Sequence, residues 1–252
     1  MRNDSLFGGS VALLQPARGY RVNVDALVLG RFAAELRPEA RHLVDLGAGV
    51  GAVTLAFSRF GRARRMTLVD RDAPLLALAA ENLSRAALDG AVVCADLSRA
   101  LPAALAGSAD VVVSNPPYFT EGPSASPSAE RRRARAGALP PFLGATKRLL
   151  GRRARAFFVY PAERLPELLE SAAAAGLVAK RLRFVHAFAA SPARVVLAEL
   201  RAARPGGLEI LPPLVEWAAR GVRTPELAAI VEGRAVERPK AAVSRSRGAD
   251  RG

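Results

Sequence analysis

Leu43-Val44-Asp45-Leu46-Gly47-Ala48-Gly49-Val50-Gly51 is the stretch on which the fold turns. A strand reads up to Asp45, and a glycine loop then turns into a helix over 52–60. Glycine tolerates positive φ and lets a ligand approach the backbone closely, and the helix N-terminus presents unpaired N–H groups to it. The run Gly47-x-Gly49-x-x-Ala52 also satisfies the loose dinucleotide fingerprint. The pattern therefore points to a nucleotide-like cofactor without separating NAD from S-adenosylmethionine. A purely structural strand-to-helix turn is the alternative.

Three further strands follow, each closing on a polar residue. Met66-Thr67-Leu68-Val69-Asp70 ends in a carboxylate placed as a ribose-binding acid would be, a little over 20 residues past the glycine loop. Asp72 and Pro74 open a helix that reads to Leu88. Ala91-Val92-Val93-Cys94-Ala95-Asp96-Leu97 brings Asp96, either an acceptor for a cofactor's adenine amine or an N-cap. Val111-Val112-Val113-Ser114 is the fourth. In open α/β sheets the ligand crevice lies at the carboxyl ends of the strands, so these termini converge on one edge.

The fourth strand runs into Asn115-Pro116-Pro117-Tyr118. The two prolines fix φ, carry no N–H and restrict the residue before each to extended geometry. The product is a stiff corner with outward carbonyls and no competing donors. Asn115 adds a side-chain acceptor and Tyr118 an aromatic plane. Such a corner suits a flat –NH2 group: two acceptors take its hydrogens, the ring stacks on the plane behind it, and the nitrogen lone pair is free to face an electrophile. A strand-ending turn is the plainer alternative.

The 252-residue chain is long enough for one large α/β domain, and half of it is hydrophobic. Its single cysteine, Cys94, cannot form an internal disulfide, and with only two histidines a zinc site is not expected. These counts predict a reducing, cytoplasmic setting and no metal. No signal peptide or membrane span is expected either. The net charge of +14 suggests a polyanionic partner, most simply nucleic acid, although an arginine- and alanine-rich composition also follows from GC-rich coding.

Upstream, 10–15 reads as a strand and Asp25 as the N-cap of a largely buried helix over 26–36. Downstream of Tyr118, residues 120–128 read as a linker, followed by Glu130 and a basic run with Arg131, Arg132, Arg133 and Arg135. That run is either a phosphate contact or a solvated face. A helix over 142–150 and a strand over 156–160 come next. Pro161 reads as the opening of a helix reaching Ala175. Leu182–Val185 and Arg194–Leu200 are joined too tightly for a crossover helix, so these strands are expected antiparallel. His186 reads as a packed histidine rather than a base. A short helix over 225–231 closes the ordered chain.

Taken in order, the glycine run, Asp70 and Asn115-Pro116-Pro117-Tyr118 resemble the class I S-adenosylmethionine-dependent amino-methyltransferases. Leu14-Gln15-Pro16, Gly19-Tyr20-Arg21 and Asp25-Ala26-Leu27 narrow the resemblance to the tRNA1(Val) adenine-37 N6-methyltransferase family. So do Glu130-Arg131, Pro161-Ala162-Glu163 and Pro192-Ala193-Arg194. The second half of the segment 127–136 departs from that family's pattern.

The resemblance implies a Rossmann-like class I fold: a seven-stranded, mostly parallel sheet with an antiparallel last strand and helices on both faces. It implies an N-terminal cap over 1–40, a catalytic domain over 41–233 and a disordered basic tail over 234–252. It also implies S-adenosyl-L-methionine as cofactor, bound by Asp45, Gly47, Gly49, Gly51, Asp70, Asp96, Leu97 and Asn115. Asn115, Pro116, Pro117 and Tyr118 would be the catalytic corner. The substrate would be an adenine amine in tRNA, with Arg131, Arg132, Arg133 and Arg135 against the RNA, and no membrane or obligate protein partner.

Other readings compete, and an amine on a ribosomal RNA base fits the same corner. A glutamine amide fits the same corner, as in release-factor N5-methyltransferases, but only about 40 residues precede the glycine strand, little for a separate recognition domain. An inactive RNA-binding module on this fold would have lost a cofactor glycine or Asn115, and neither is lost.

Overall fold

The computed structural model describes residues 1–17, 22–117, 139–202 and 206–235. Tyr118, the linker 120–128, Glu130 and the arginines at 131, 132, 133 and 135 lie outside the described residues. So does all but the first two residues of the tail over 234–252.

The order begins with β1 (Arg2–Leu6), β2 (Val11–Gln15), α1 (Val24–Leu36), β3 (Glu39–Leu46), α2 (Ala52–Phe60), β4 (Arg62–Asp70) and α3 (Ala73–Arg85). It continues through β5 (Ala91–Cys94), β6 (Ala109–Ser114), α4 (Leu139–Leu149), β7 (Leu150–Pro161), α5 (Leu165–Ala174), β8 (Leu177–His186) and β9 (Ala193–Ala202). Last come β10 (Glu209–Val215), β11 (Trp217–Ala219), β12 (Val222–Arg223) and α6 (Pro225–Glu232).

The main sheet has the order β10-β8-β9-β7-β6-β3-β4-β5. Strands β5, β4, β3, β6 and β7 are parallel, and β9 runs antiparallel to both β7 and β8. The expected mostly parallel sheet with its antiparallel strand is present, and an eighth strand extends it. β10 pairs parallel with β8 at the edge, and its register shifts between Leu211 and Leu214, where Pro212 and Pro213 sit. Proline cannot donate to a ladder, so an edge strand with an irregularity is where two of them are tolerated.

Period-two alternation explains the layers. Val111, Val113, Phe157 and Val159 face α1, α2, α3 and α6 in one core. Val112, Phe158 and Tyr160 face α4 and α5 in the other. Strands covered on both sides read as continuous apolar runs, as β6 and the second half of β7 do.

Some local readings need correction. The N-cap of α1 is Asn23, whose side chain accepts from the Asp25 N–H; Asp25 sits inside the first turn and is 1% exposed. Asp25 is better used there, because Arg194 from β9 pairs with it at 2.6 Å. Pro161 ends β7 instead of opening a helix; a 3-10 turn over Ala162–Arg164 intervenes before α5. β5 stops at Cys94, which is exposed. β1 had no sequence signal: Arg2-Asn3-Asp4-Ser5 is polar, and the strand forms by pairing with β2.

Candidate active site

At the carboxyl edge of β3 the chain makes its glycine loop. Gly47, Gly49 and Gly51 have φ of 68°, 54° and 83°, a region that strains any residue with a Cβ. The loop is pinned by its neighbours. Gly47 and Ala48 donate their N–H groups to the Val69 carbonyl at 2.8 and 3.1 Å, and Gly49 donates to the Asp70 carboxylate at 2.9 Å. The other Asp70 oxygen accepts from the Asp72 N–H at 3.0 Å. Asp72 in turn caps α3 through the Leu75 N–H. Asp70 thus shapes the loop and still has free lone-pair directions on both oxygens.

Asp45 is 1% exposed. One of its oxygens accepts from the Thr54 N–H and hydroxyl at 3.2 and 2.8 Å, which caps α2 from the side. Its Oδ1 is buried with no hydrogen-bond partner among the described residues. Burial pushes the Asp45 carboxyl up to about 7; the Thr54 bonds oppose that and nearby Asp70 adds to it. A buried carboxylate with one unpaired oxygen is expensive unless a donor or cation joins it.

β3 and β6 lie side by side in register, Leu46 opposite Ser114. The buried Ser114 hydroxyl donates to the Leu46 carbonyl at 2.8 Å. Gly47 and Asn115 are the next residues on their strands, so the glycine loop and the proline corner leave the sheet together. Asn115 is half-buried, Pro116 buried and Pro117 exposed. The structure therefore brings Asp45, Gly47, Gly49, Gly51, Asp70 and Asn115–Pro117 to one edge.

Asp96 is at the same edge beyond β5, exposed, in a turn rather than at a helix start. It accepts from the Ser98 N–H and hydroxyl at 2.9 and 2.7 Å, and these bonds hold its carboxyl below the usual range. Leu97 beside it is buried.

Sequence reasoning missed Phe142. It lies on α4, and a Cβ placed on Gly47 would fall 2.7 Å from its ring. The aromatic therefore packs directly against the glycine loop. Its only signal was an apolar helical position; its neighbour across the sheet edge was not visible. Asn82 was missed too. From α3 its amide donates to the Leu14 and Val50 carbonyls and its oxygen accepts from the Leu14 N–H, tying β2 to the loop.

Comparison with known proteins gives this edge a context. The methyltransferase small domain family matches residues 25–135. The tRNA1(Val) (adenine(37)-N6)-methyltransferase of Phocaeicola vulgatus is 30% identical over 188 residues, 71% of this chain and 76% of that protein. The ribosomal RNA small subunit methyltransferase C of Sodalis glossinidius is 32% identical over 82 residues, 32% of this chain and 22% of that protein. The chain spans 62% of the Shewanella halifaxensis tRNA1(Val) (adenine(37)-N6)-methyltransferase. Among solved structures, a predicted O-methyltransferase from Agrobacterium tumefaciens superposes with a TM-score of 0.66 at 20% identity, covering 84% of this chain and 98% of that one. The fold is that of the class I methyltransferases.

Proposed function

This chain belongs to the tRNA1(Val) (adenine(37)-N6)-methyltransferase family, and we propose that it methylates the exocyclic amine of an adenine in tRNA with S-adenosyl-L-methionine as donor. The observation that carries the reading is the register pair Leu46 and Ser114, which starts the glycine loop and the proline corner side by side.

The residues present fit such a cofactor. The orphaned, fully buried Asp45 Oδ1 offers an acceptor beside the loop, and Gly47, Gly49 and Gly51 hold the positive φ that turns the loop. Bound there, the cofactor supplies a methyl group activated by a sulfonium. Gly47, Gly49 and Gly51 would line its amino-acid end and Asp45 would orient it. Asp70 would accept from ribose hydroxyls through its remaining lone pairs, and Asp96 and Leu97 would border the adenine.

The corner would do the positioning on the substrate side. The Asn115 side-chain oxygen and the Pro116 carbonyl accept the two amine hydrogens, and Tyr118 stacks on the base. Pro117 keeps the corner stiff. Holding both hydrogens leaves the nitrogen lone pair directed at the donor, and most of the rate gain comes from orientation and exclusion of water. A loop base suits this site, because it leaves its stack at lower cost than a duplex base. Arg131, Arg132, Arg133 and Arg135 would contact the RNA backbone. Residues 1–40 would cap the catalytic domain of 41–233.

No helix among the described residues is long and apolar enough to cross a membrane; the reading places the protein in the cytoplasm, where tRNA is. A second reading, a ribosomal RNA base amine, draws on the 32% identity to ribosomal RNA small subunit methyltransferase C.

One experiment separates them. The protein is incubated with isotopically labelled S-adenosylmethionine and bulk tRNA, ribosomal RNA or a release factor, and the labelled nucleosides or peptides are resolved by mass spectrometry. Labelled N6-methyladenosine from tRNA is expected. Label confined to ribosomal RNA would select the second reading, and label only on added release factor would reject both.

A further inference from the structure

Beyond the proline corner, the same edge of the sheet carries a cleft of about 390 Å³. It lies between the start of α1, the β11–β12 hairpin and α6, and its lining includes Asn23, Leu27, Arg194, Trp217, Arg223 and Leu227. Its position follows from the strand directions. β9 runs antiparallel to β7 with Val195 opposite Pro161, so Arg194 stands at the carboxyl edge. β9 is two strands from β6, roughly 10 Å along the edge at the usual strand spacing.

The cleft is built rather than incidental. Arg194 bridges Asp25 on α1 and Glu216 after β10, at 2.6 Å each, and both carboxylates are buried. One guanidinium thus holds both carboxylates of the wall in place and offsets one of their two charges. The hairpin is fixed in its turn: Glu216 and Trp217 donate their N–H groups to the His186 and Ala187 carbonyls at 2.8 and 2.9 Å. The Thr224 hydroxyl donates to the Val215 carbonyl at 2.6 Å. Trp217 is half-buried, and the Arg223 guanidinium lies 5.9 Å from its ring centroid. Arg220 and Arg223 are exposed, and neither makes an ion pair with a described residue.

An apolar slot with one indole and Arg223 in its wall, and Arg220 in the adjoining hairpin turn, has the chemistry of a single-strand platform: aromatics take base faces and cations take phosphates. We propose that this cleft is a second nucleobase subsite, which receives an unpaired base flanking the methylated one against Trp217, with Arg220 and Arg223 on the adjoining phosphates. The assignment rests on the RNA-methylation reading above and extends it to a neighbouring nucleotide.

Trp217 is the chain's single tryptophan, so its emission reports on this cleft alone. The full chain is titrated with bulk tRNA and with oligoadenylate, and binding is followed in parallel by filter retention. Emission should fall as sites fill. Trp217→Ala should weaken tRNA binding about tenfold and raise KM for tRNA, Trp217→Phe should restore most of it, and S-adenosylmethionine affinity should not change. Arg223→Gln, at an exposed position, should weaken binding severalfold and lower its salt dependence. Retention of tRNA with unchanged emission, or with unchanged affinity in both Trp217→Ala and Arg223→Gln, would overturn the subsite and leave the proposed function standing. Failure to retain any tRNA would overturn both.

Discussion

Ser114 and Leu46 face each other on adjacent parallel strands, and the Ser114 hydroxyl donates to the Leu46 carbonyl at 2.8 Å. Both residues are fully buried. The bond therefore ties the last residue of one strand to the last residue of the other, one position before the two loops begin. Ser114→Ala removes this buried bond, which costs about 1 kcal/mol. It also loosens the spacing of the two loops that the proposed methyl transfer brings together. Denaturant unfolding should show that loss, and single-turnover methylation should slow by more than the loss of fold accounts for, with donor affinity nearly constant. A full rate in a destabilised variant would reduce the hydroxyl to a structural role.

Asp45 sets a pH dependence that runs against the usual carboxylate pattern. Its folded-state pKa is raised from 3.8 to about 7 by burial. Between those values the native chain keeps a proton that the unfolded chain has lost, so stability falls as pH rises through that window and the penalty is complete above 7. At 1.36 kcal/mol per unit, it is on the order of 4 kcal/mol. Asp45→Asn abolishes the slope and can still accept from Thr54, though its NH2 then lies where Oδ1 has no partner, which cancels part of the gain. Thermal melts without cofactor at pH 5 and pH 8 should differ less in Asp45→Asn than in the parent, and the variant should melt higher at pH 8. Its S-adenosylmethionine affinity, read by calorimetry at pH 8, should fall. A gain in stability and a loss in binding from one substitution would mark a charge kept for its ligand.

The parts legible in the sequence were those whose cause is local. The helix over 52–60 was read with its observed limits, because glycines precede it and Gly61 follows. The buried strands announced themselves by apolar runs, and the tight Ser191-Pro192 link required β8 and β9 to be antiparallel. What escaped notice depends on partners distant in the chain. β1 is a strand only because β2 pairs with it, and β10 tolerates two prolines only at an edge. Asp25 reads as a cap until Arg194, 169 residues away, claims it. Phe142 reads as core until the fold lays it on Gly47. The glycine loop and Asn115 were legible singly; their register was not.

Gly30 offers a test of the scaffold behind the site. It faces α2 from α1, and a Cβ there would fall 2.7 Å from the Phe57 nitrogen and 2.8 Å from the Ala56 carbonyl carbon. Backbone cannot move aside as a side chain can. Alanine gains about 1 kcal/mol of helix propensity over glycine, whereas overpacking costs about 1–3 kcal/mol. With rigid atoms on the far side, the clash should win. Gly30→Ala should lower the denaturation midpoint by an amount worth up to about 2 kcal/mol. An unchanged or raised midpoint would mean that α1 shifts on α2 freely, contrary to the packing seen.

Asn115 should separate binding from chemistry. It follows Ser114 at the sheet edge and is half-buried, with Pro116 buried behind it. In the proposed clamp its oxygen meets one amine hydrogen, and that contact counts only once both partners are in place. Asn115→Ala removes the acceptor and leaves the prolines to hold the corner. Loss of one such contact in a desolvated site costs about 10²–10³ in turnover. Donor affinity should change little, because the glycine loop is untouched. Asn115→Asp still presents an oxygen acceptor and should retain more activity than Asn115→Ala. Initial rates with tRNA, set beside calorimetry with S-adenosylmethionine, give both quantities. If Asn115→Ala turned over at the parental rate, the amine would have to be held elsewhere, and the proline corner would be a strand end and nothing more.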